Sequence, residues 1–409
     1  MARKQPIHVA LDIGTHAVSA LVAVVDSAAP EIIGVGTAPS QGLRRGVVVN
    51  IESTVQAIQR AVREAEMMAD CEIHTVVVSL SGTHVKGFNS HGMVPMKSRE
   101  VTSGDVDLVL EAARAVALPT DREVLHVLPQ EFSVDDQGGI RAPEGMSGVR
   151  LESRVHVLTA STASVQNVVK CCNRAGLAVA QVVLAPWASA AAVLGDEERE
   201  LGVGLIDIGG GTTDFLVYQG GEVRHTTVIG LGGAQLTNDV AAGLRTPTTE
   251  AEKLKRRHGT ALASSVSSDD RIEVPGVGGR EPRLLSRQIL AEVIEPRAEE
   301  ILMLVAREAS RAGVDGMLCS GVVLTGGSAE LPGLAELAER VLRVPVRVGA
   351  PHDVTGLGEL VQGPAFATGV GLLLLAGRGA FEVPETTGVP AGVLTRVRSR
   401  MGDWLRDFF

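Results

Sequence analysis

The segment Leu205-Ile206-Asp207-Ile208 is apolar apart from its acid, and it runs into Gly209-Gly210-Gly211-Thr212-Thr213-Asp214. Gly209, Gly210 and Gly211 have no Cβ, so their backbone can turn sharply and bring N–H groups close to phosphate oxygens. Thr212 and Thr213 add hydroxyl donors. Asp207 and Asp214 would repel a phosphate directly, so they are better suited to holding Mg²⁺, mostly through the waters this ion keeps. Val203-Gly204 precedes the turn and Phe215-Leu216-Val217-Tyr218 follows it, so the turn joins two strands as a hairpin. The design recurs at the start of the chain, where an apolar strand from Ile7 ends in Asp12-Ile13-Gly14-Thr15 followed by His16, and Val18 to Val25 forms the return strand. Two hairpins of one design imply a duplicated fold whose halves grip phosphate from opposite sides, with Asp12 and Asp207 as the metal carboxylates. A third glycine site, Gly326-Gly327-Ser328, follows the strand Val322 to Thr325 and precedes a helix expected near Leu331. Such a site suits backbone passing close to a nucleoside. Together the three predict a nucleotide with Mg²⁺.

These sites need a scaffold of alternating strands and helices. Strands are expected at 7–13, 18–25 and 31–37, then a helix over 51–69, because Ile51, Val55, Ile58, Val62 and Ala65 recur at helical spacing. A strand follows at 76–80. Residues 84–160 depart from this lobe: strand-like 93–96, a helix near 103–117 and strands around 124–134 and 154–159 read as an inserted α+β subdomain. The first lobe, 1–83, resumes over 161–201 with a helix to about 175, a strand at 179–184 and a helix after Pro186, and again with a core helix in 363–376. The second lobe has its core at 202–229 and 310–362. Its own insertion, 230–309, holds Gly233, a helix around Glu252 and a longer helix from 286 to 312. Residues 264–283 are rich in Ser, Asp, Gly and Pro and fit a surface loop or a short β excursion.

Composition bounds the partners. With 409 residues, 45% of them hydrophobic, the chain can bury a large core in two or more domains. A formal net charge of −10 argues against a nucleic-acid partner, which calls for basic excess. Cys71, Cys171, Cys172 and Cys319 lack metal-ligand spacing and read as reduced core thiols. The longest apolar stretch, 364–376, is well short of the ~20 residues that span a bilayer, and the N-terminus is no signal peptide. These features point to the cytoplasm.

The C-terminus has another character. Residues 377–392 are rich in glycine and proline without periodicity, as in a flexible linker. In 393–409, at ~100° per residue, Val393, Leu394, Val397, Met401, Trp404, Leu405 and Phe408 fall within an arc of about 120°, with Arg398 and Arg400 flanking it. This is the pattern of an amphipathic helix that lies in a membrane interface. Four arginines against two aspartates in an otherwise acidic chain favour anionic lipid. The alternative is a tail that docks on its own body or on a partner protein.

The three glycine segments, in this order, resemble the actin, Hsp70 and sugar-kinase ATPases, which implies an α/β, two-lobed, actin-like fold of duplicated ribonuclease H-like halves. That resemblance makes Asp12 to Thr15 and Asp207 to Asp214 the phosphate loops and Gly326 to Ser328 the adenosine motif. It also makes Glu252 and Lys255 the acid and base near the adenosine, unless both are merely solvated helix charges. Within the superfamily the chain resembles the FtsA family of bacterial cell-division proteins. The resemblance rests on the insertion, on the tail, and on the strings Leu128-Pro129-Gln130-Glu131-Phe132, Pro143 to Arg150 and Glu292 to Arg297. It implies an ATP- and Mg²⁺-binding protein that self-associates into filaments. Such a protein would tether FtsZ filaments to the inner face of the cytoplasmic membrane at the division site and recruit later division proteins. The second-lobe insertion would receive the acidic, apolar C-terminal tail of FtsZ, with Arg283, Arg287 and Arg297 as candidate contacts. Competing readings are a pilus-assembly adaptor of similar build and a small-molecule kinase of the same superfamily. Actin-like relatives carry an acid or amide that orients the attacking water after the first lobe's last strand. Here that stretch is Leu184-Ala185-Pro186-Trp187-Ala188, so ATPase activity should be weak or absent unless Gln130 or another residue of the insertion substitutes.

Overall fold

The structure is a computed structural model that describes residues 5–25, 29–278, 280–381 and 386–389. The tail residues Val393, Leu394, Val397, Arg398, Arg400, Met401, Trp404, Leu405 and Phe408 lie outside the described residues. Two sheets organise the rest, and they share one topology. In the first, Gln5–Ile13, Ala17–Val24 and Glu31–Pro39 form an antiparallel meander, and Thr75–Leu80 and Ala178–Leu184 extend it in parallel on the other side of Gln5–Ile13. In the second, Val203–Ile208, Thr213–Gln219 and Glu222–Ile229 form the meander, and Val322–Thr325 and Val346–Val348 extend it in parallel. The duplication expected from the two glycine hairpins is therefore a duplication of whole sheets.

Local sequence sets most element ends. The helix Ile51–Ala69 begins at Asn50, whose side chain accepts from the Ser53 N–H at 3.0 Å, and stops at Asp70 in the left-handed region. Its Val55, Ile58, Ala61, Val62 and Ala65 are buried against the first sheet. Thr102 and Asp105 form a reciprocal capping box for Ser103–Arg114. The helix placed near Leu331 starts later: Gly327–Glu330 is one 3₁₀ turn, and the α-helix is Leu334–Leu342.

Between the two sheets run Ala185–Val193 and Ala367–Gly377, helices apolar but for Ser189 and Thr368, whose hydroxyls meet at 2.9 Å, as segments buried nearly all round must be. They touch backbone to backbone: a Cβ added to Gly371 would lie 1.7 Å from the Ala188 carbonyl oxygen. Gly371→Leu should therefore cost at least about 3 kcal/mol by overpacking, read as a fall in denaturation midpoint.

The insertion is a four-stranded antiparallel sheet ordered Lys86–Pro95, Arg150–Ser161, Arg122–Val134, Gln137–Ile140, with Ser103–Arg114 packed on it at Gly92. The second-lobe insertion contains Gly233–Leu244, Thr248–His258 and Arg287–Ala312, and the polar stretch between the last two contributes a two-stranded ribbon, Arg271–Val274 with Arg283–Ser286.

Three expectations need correction. The stretch read as a flexible linker contains a strand, Thr386–Val389, paired antiparallel with the beginning of Gln5–Ile13, because that strand extends past its neighbour Thr75–Leu80 and leaves backbone groups to be satisfied. Thr355–Gly356, grouped with the second lobe, pairs with Glu31 and Ile32 of the first. Cys171 and Cys172 are buried core thiols, but Cys71 is half-buried and Cys319 is exposed in the turn before Val322–Thr325.

Candidate functional site

The two hairpin turns are built alike. Ile13 pairs with Val18 and Ile208 with Thr213, so each turn holds four residues. Each is closed by the same bond, Gly14 N–H to the Ala17 carbonyl at 3.0 Å and Gly209 N–H to the Thr212 carbonyl at 2.9 Å. Asp12 and Asp207 occupy equivalent positions on the strands entering them. The register places Ser19 opposite Asp12 and Asp214 opposite Asp207, so the second hairpin carries one carboxylate more.

The turns meet across the boundary between lobes. A Cβ on Gly210 would stand 2.8 Å from the His16 Cβ, and one on Gly211 would stand 2.6 Å from the Thr15 hydroxyl. Only glycine permits this approach. The arrangement brings Gly14, Thr15, His16, Gly209, Gly210, Gly211, Thr212 and Thr213 together; the Gly14 and Gly209 N–H groups close the turns and the Thr213 hydroxyl donates to the Leu231 carbonyl at 2.9 Å, which leaves the other N–H and hydroxyl groups of the turns as the donors suited to an anion.

Three carboxylates underlie the turns, Asp207 and Asp214 buried and Asp12 partly buried, each held by a serine that the sequence had not singled out. The Ser79 hydroxyl donates to Asp12 at 2.6 Å, Ser189 to Asp207 at 2.6 Å, and Ser81 to both oxygens of Asp214 at 2.7 and 2.9 Å. Burial pushes Asp12 up to about 6, against the Ser79 hydrogen bond, and the Asp207 charge adds to the rise. Burial likewise raises Asp207, and it raises Asp214 well above the usual carboxylate range with help from the charges of Asp207 and Asp12. Acids raised by burial, with the Asp207 charge adding to Asp12 and the charges of both adding to Asp214, are a donor set that a cation would relieve. Among the described residues no three His, Cys, Asp or Glu side chains converge to hold a metal alone. The set therefore suits a hard cation that keeps waters and takes further oxygens from a bound phosphate, as Mg²⁺ does.

The nucleoside side is assembled from the second lobe. Gly233 and Ala234, opening the helix Gly233–Leu244, donate their N–H groups to the carbonyls of Gly209 and Gly210 at 2.9 and 2.7 Å. Lys255 Nζ reaches the Gly233 carbonyl at 3.1 Å, the Thr237 hydroxyl at 2.9 Å and Glu252 at 2.7 Å. Thr237 also donates to Glu252. Burial works to raise the Glu252 carboxyl, but the Lys255 charge and both hydrogen bonds outweigh it and hold it below its usual value. Glu252 and Lys255 are thus a half-buried pair built into the site. Gly326 packs so tightly on Asp207 that a Cβ would fall 2.3 Å from its Oδ1, and the Ser328 hydroxyl lies 3.4 Å from the Gly209 carbonyl. Gly327 follows in the same turn.

Other candidates lie elsewhere. Gln130 does not reach the turns. It is the extra residue of a bulge between the Arg154–Glu131 and Val155–Pro129 pairs, and its amide donates to the Val223 carbonyl at 2.7 Å. With His156, whose ring meets Asn89 at 2.7 Å and Thr226 at 2.8 Å, it fastens the insertion to the second-lobe strand Glu222–Ile229. Ala185 opens its helix with only a methyl group, and the Trp187 ring stacks edge-on against His126 at 4.9 Å. The three arginines are not simply solvated. Arg283, in the ribbon, donates to the Leu244 carbonyl, Arg287 to the His258 carbonyl at 2.8 Å, and Arg297 pairs with Asp239 at 2.6 Å and with Glu300.

Ser79 and Ser81, though not Ser189, could have been suspected from Val76-Val77-Val78-Ser79-Leu80-Ser81-Gly82, an apolar run that turns polar only at its end.

Comparison with known proteins agrees with this geometry. A family model described as "Cell division protein FtsA" matches residues 204–371, and one described as "SHS2 domain inserted in FTSA" matches residues 82–159. A cell division protein FtsA of Pseudomonas aeruginosa is 51% identical over 367 residues, covering 90% of this chain and 88% of the relative. Among solved structures, a PilM-PilN type IV pilus biogenesis complex superposes with a TM-score of 0.64 at 20% identity, over 90% of this chain and 98% of that one. The ADP-bound MreB5 of Spiroplasma citri superposes at 0.52 and 14% identity, over 90% and 96%. At such identities these structures establish a shared fold, the two-lobed actin-like one, and nothing more. The identity to the Pseudomonas relative over nine-tenths of the chain establishes more: the protein belongs to the FtsA family of cell-division proteins.

Proposed function

We propose that this cell-division protein binds ATP with Mg²⁺ between its two glycine turns, self-associates into filaments, and tethers FtsZ filaments to the cytoplasmic face of the inner membrane at the division site. The observation that carries the reading is the pair of matched turns from opposite lobes, in contact over three serine-held carboxylates, two of them buried. In that site Gly14, Thr15 and Gly209 to Thr213 would hold phosphates, Asp12 and Asp207 the metal's waters, and Gly233, Glu252, Lys255 and Gly326 to Ser328 the nucleoside. Bound Mg²⁺ would neutralise phosphate charge. A nucleotide touching both lobes favours the closed arrangement by its differential contacts, which makes ATP a conformational ligand for filament formation.

The ribbon is the natural receiver of an acidic, apolar FtsZ tail. Leu284 and Ile289 are exposed large apolar side chains flanked by Arg283 and Arg287, while Arg297 is committed to joining two helices. Recruitment of later division proteins falls to other surfaces. The pilus-adaptor and kinase readings have only the shared fold behind them.

Among the described residues no helix is long and apolar enough to cross a membrane, so attachment falls to the apolar arc of 393–409 and anionic lipid. One such tail binds moderately, and filament formation multiplies it by avidity. Trp404→Glu puts a charge inside the arc and should cut co-sedimentation with anionic liposomes at least tenfold, along with liposome recruitment of FtsZ. Unchanged co-sedimentation would mean that the tail packs on protein instead.

A further inference from the structure

The two-residue hairpin between Leu43–Arg44 and Val47–Val48 turns at Arg45 and Gly46, with φ of 52° and 75°. Positive φ at both central positions is the type I′ turn, which favours asparagine or aspartate followed by glycine, so an arginine in the first place is locally disfavoured. The other arginines at positive φ, Arg245 and Arg343, close helix C-termini, where one left-handed residue is routine. Arg45 has no such reason.

Its position suggests one. The Gly46 N–H donates to the Thr15 hydroxyl at 3.0 Å, so the hairpin is tied to the first glycine turn. A Cβ on Gly46 would stand 2.6 Å from the carbonyl of Ser81, the residue that holds Asp214. Across the lobe boundary, a Cβ on Gly230 would stand 3.6 Å from Arg45 Cδ, so the side chain extends toward the second lobe beside the second glycine turn. Arg45 is exposed and makes no hydrogen bond or ion pair among the described residues. The two glycine turns contain no lysine or arginine, and Lys255 is engaged with Glu252. Among the described residues the phosphate end of the site therefore has three carboxylates and, in its turns, His16 but no lysine or arginine, with an unengaged guanidinium at its edge.

We propose that Arg45 is a phosphate-sensing residue: its guanidinium binds the terminal phosphate of a nucleoside triphosphate from the first lobe and bridges it to the second. The proposal rests on the nucleotide reading above. A planar guanidinium makes paired charge-assisted hydrogen bonds to phosphate oxygens, and a diphosphate would not extend to it. The disfavoured turn residue is then retained for the ligand it meets.

The test is calorimetric titration of the full chain with Mg-ATP and Mg-ADP. Arg45→Ala should lose about tenfold in ATP affinity while ADP affinity changes less than twofold. Arg45→Lys should keep part of the preference. Arg45→Gly should lose it too, yet raise the melting temperature without nucleotide, since glycine relieves the turn. An unchanged ATP-to-ADP ratio in Arg45→Ala, in a protein that binds both, overturns the assignment alone. Failure of the unsubstituted protein to bind either nucleotide overturns the site reading and this one with it.

Discussion

Gly210→Val is expected to abolish nucleotide binding, a loss of at least about a hundredfold by calorimetry, in a protein that still melts cooperatively. Two effects combine. The new Cβ would stand 2.8 Å from the His16 Cβ and 3.1 Å from its backbone nitrogen, so the two turns must separate. Branching at Cβ also places a methyl group where phosphate oxygens would meet backbone N–H groups. The turn lies at the lobe boundary and outside the packed interiors of the sheets, so the fold should survive. Retained affinity in a folded variant would show that the nucleotide binds elsewhere or not at all.

The second large effect concerns turnover. Purified protein should bind Mg-ATP and hydrolyse it very slowly, because a positioned group that takes a proton from water contributes ~10²- to 10⁴-fold and the expected place for one is empty of such chemistry. Ala185 offers a methyl group, Trp187 is packed on His126, and Ser189, one turn further along, gives its hydroxyl to Asp207. Gln130 is spent on the Val223 carbonyl. His126 is no substitute base for the cleft: burial holds it down to about 4, and its Nε2 already accepts the Leu184 N–H at 3.1 Å. Filaments should then form with a non-hydrolysable analogue as well as with ATP. Steady-state phosphate release that is brisk for the isolated protein, with polymerisation lost in the analogue, would overturn the slow-turnover reading and point to a catalytic group elsewhere in the cleft.

What the sequence determined by itself was whatever local chemistry specifies. The turns of two hairpins, the helix Ile51–Ala69 with its repeating apolar positions, and the largely apolar helix Ala367–Gly377 follow from residues within a few positions of one another. Caps, glycine turns and periodicity are short-range, so they can be read without the fold. The resemblance to one family extended that reading, because strings such as Leu128 to Phe132 are long enough to be specific.

What only tertiary structure decided was which groups meet across long separations. Ser79 and Asp12 are 67 residues apart, Ser81 and Asp214 133, and Gln130 and Val223 93. Nothing in a serine or a glutamine announces such a partner, since these side chains hydrogen-bond equally well to water. The strand Thr386–Val389 was hidden for the same reason: its four residues, set among glycines and prolines, are too few to show a pattern, and their pairing with Gln5–Ile13 is a long-range contact. The raised carboxylates were equally invisible, because burial and the meeting of Asp12, Asp207 and Asp214 from separate strands create the shift.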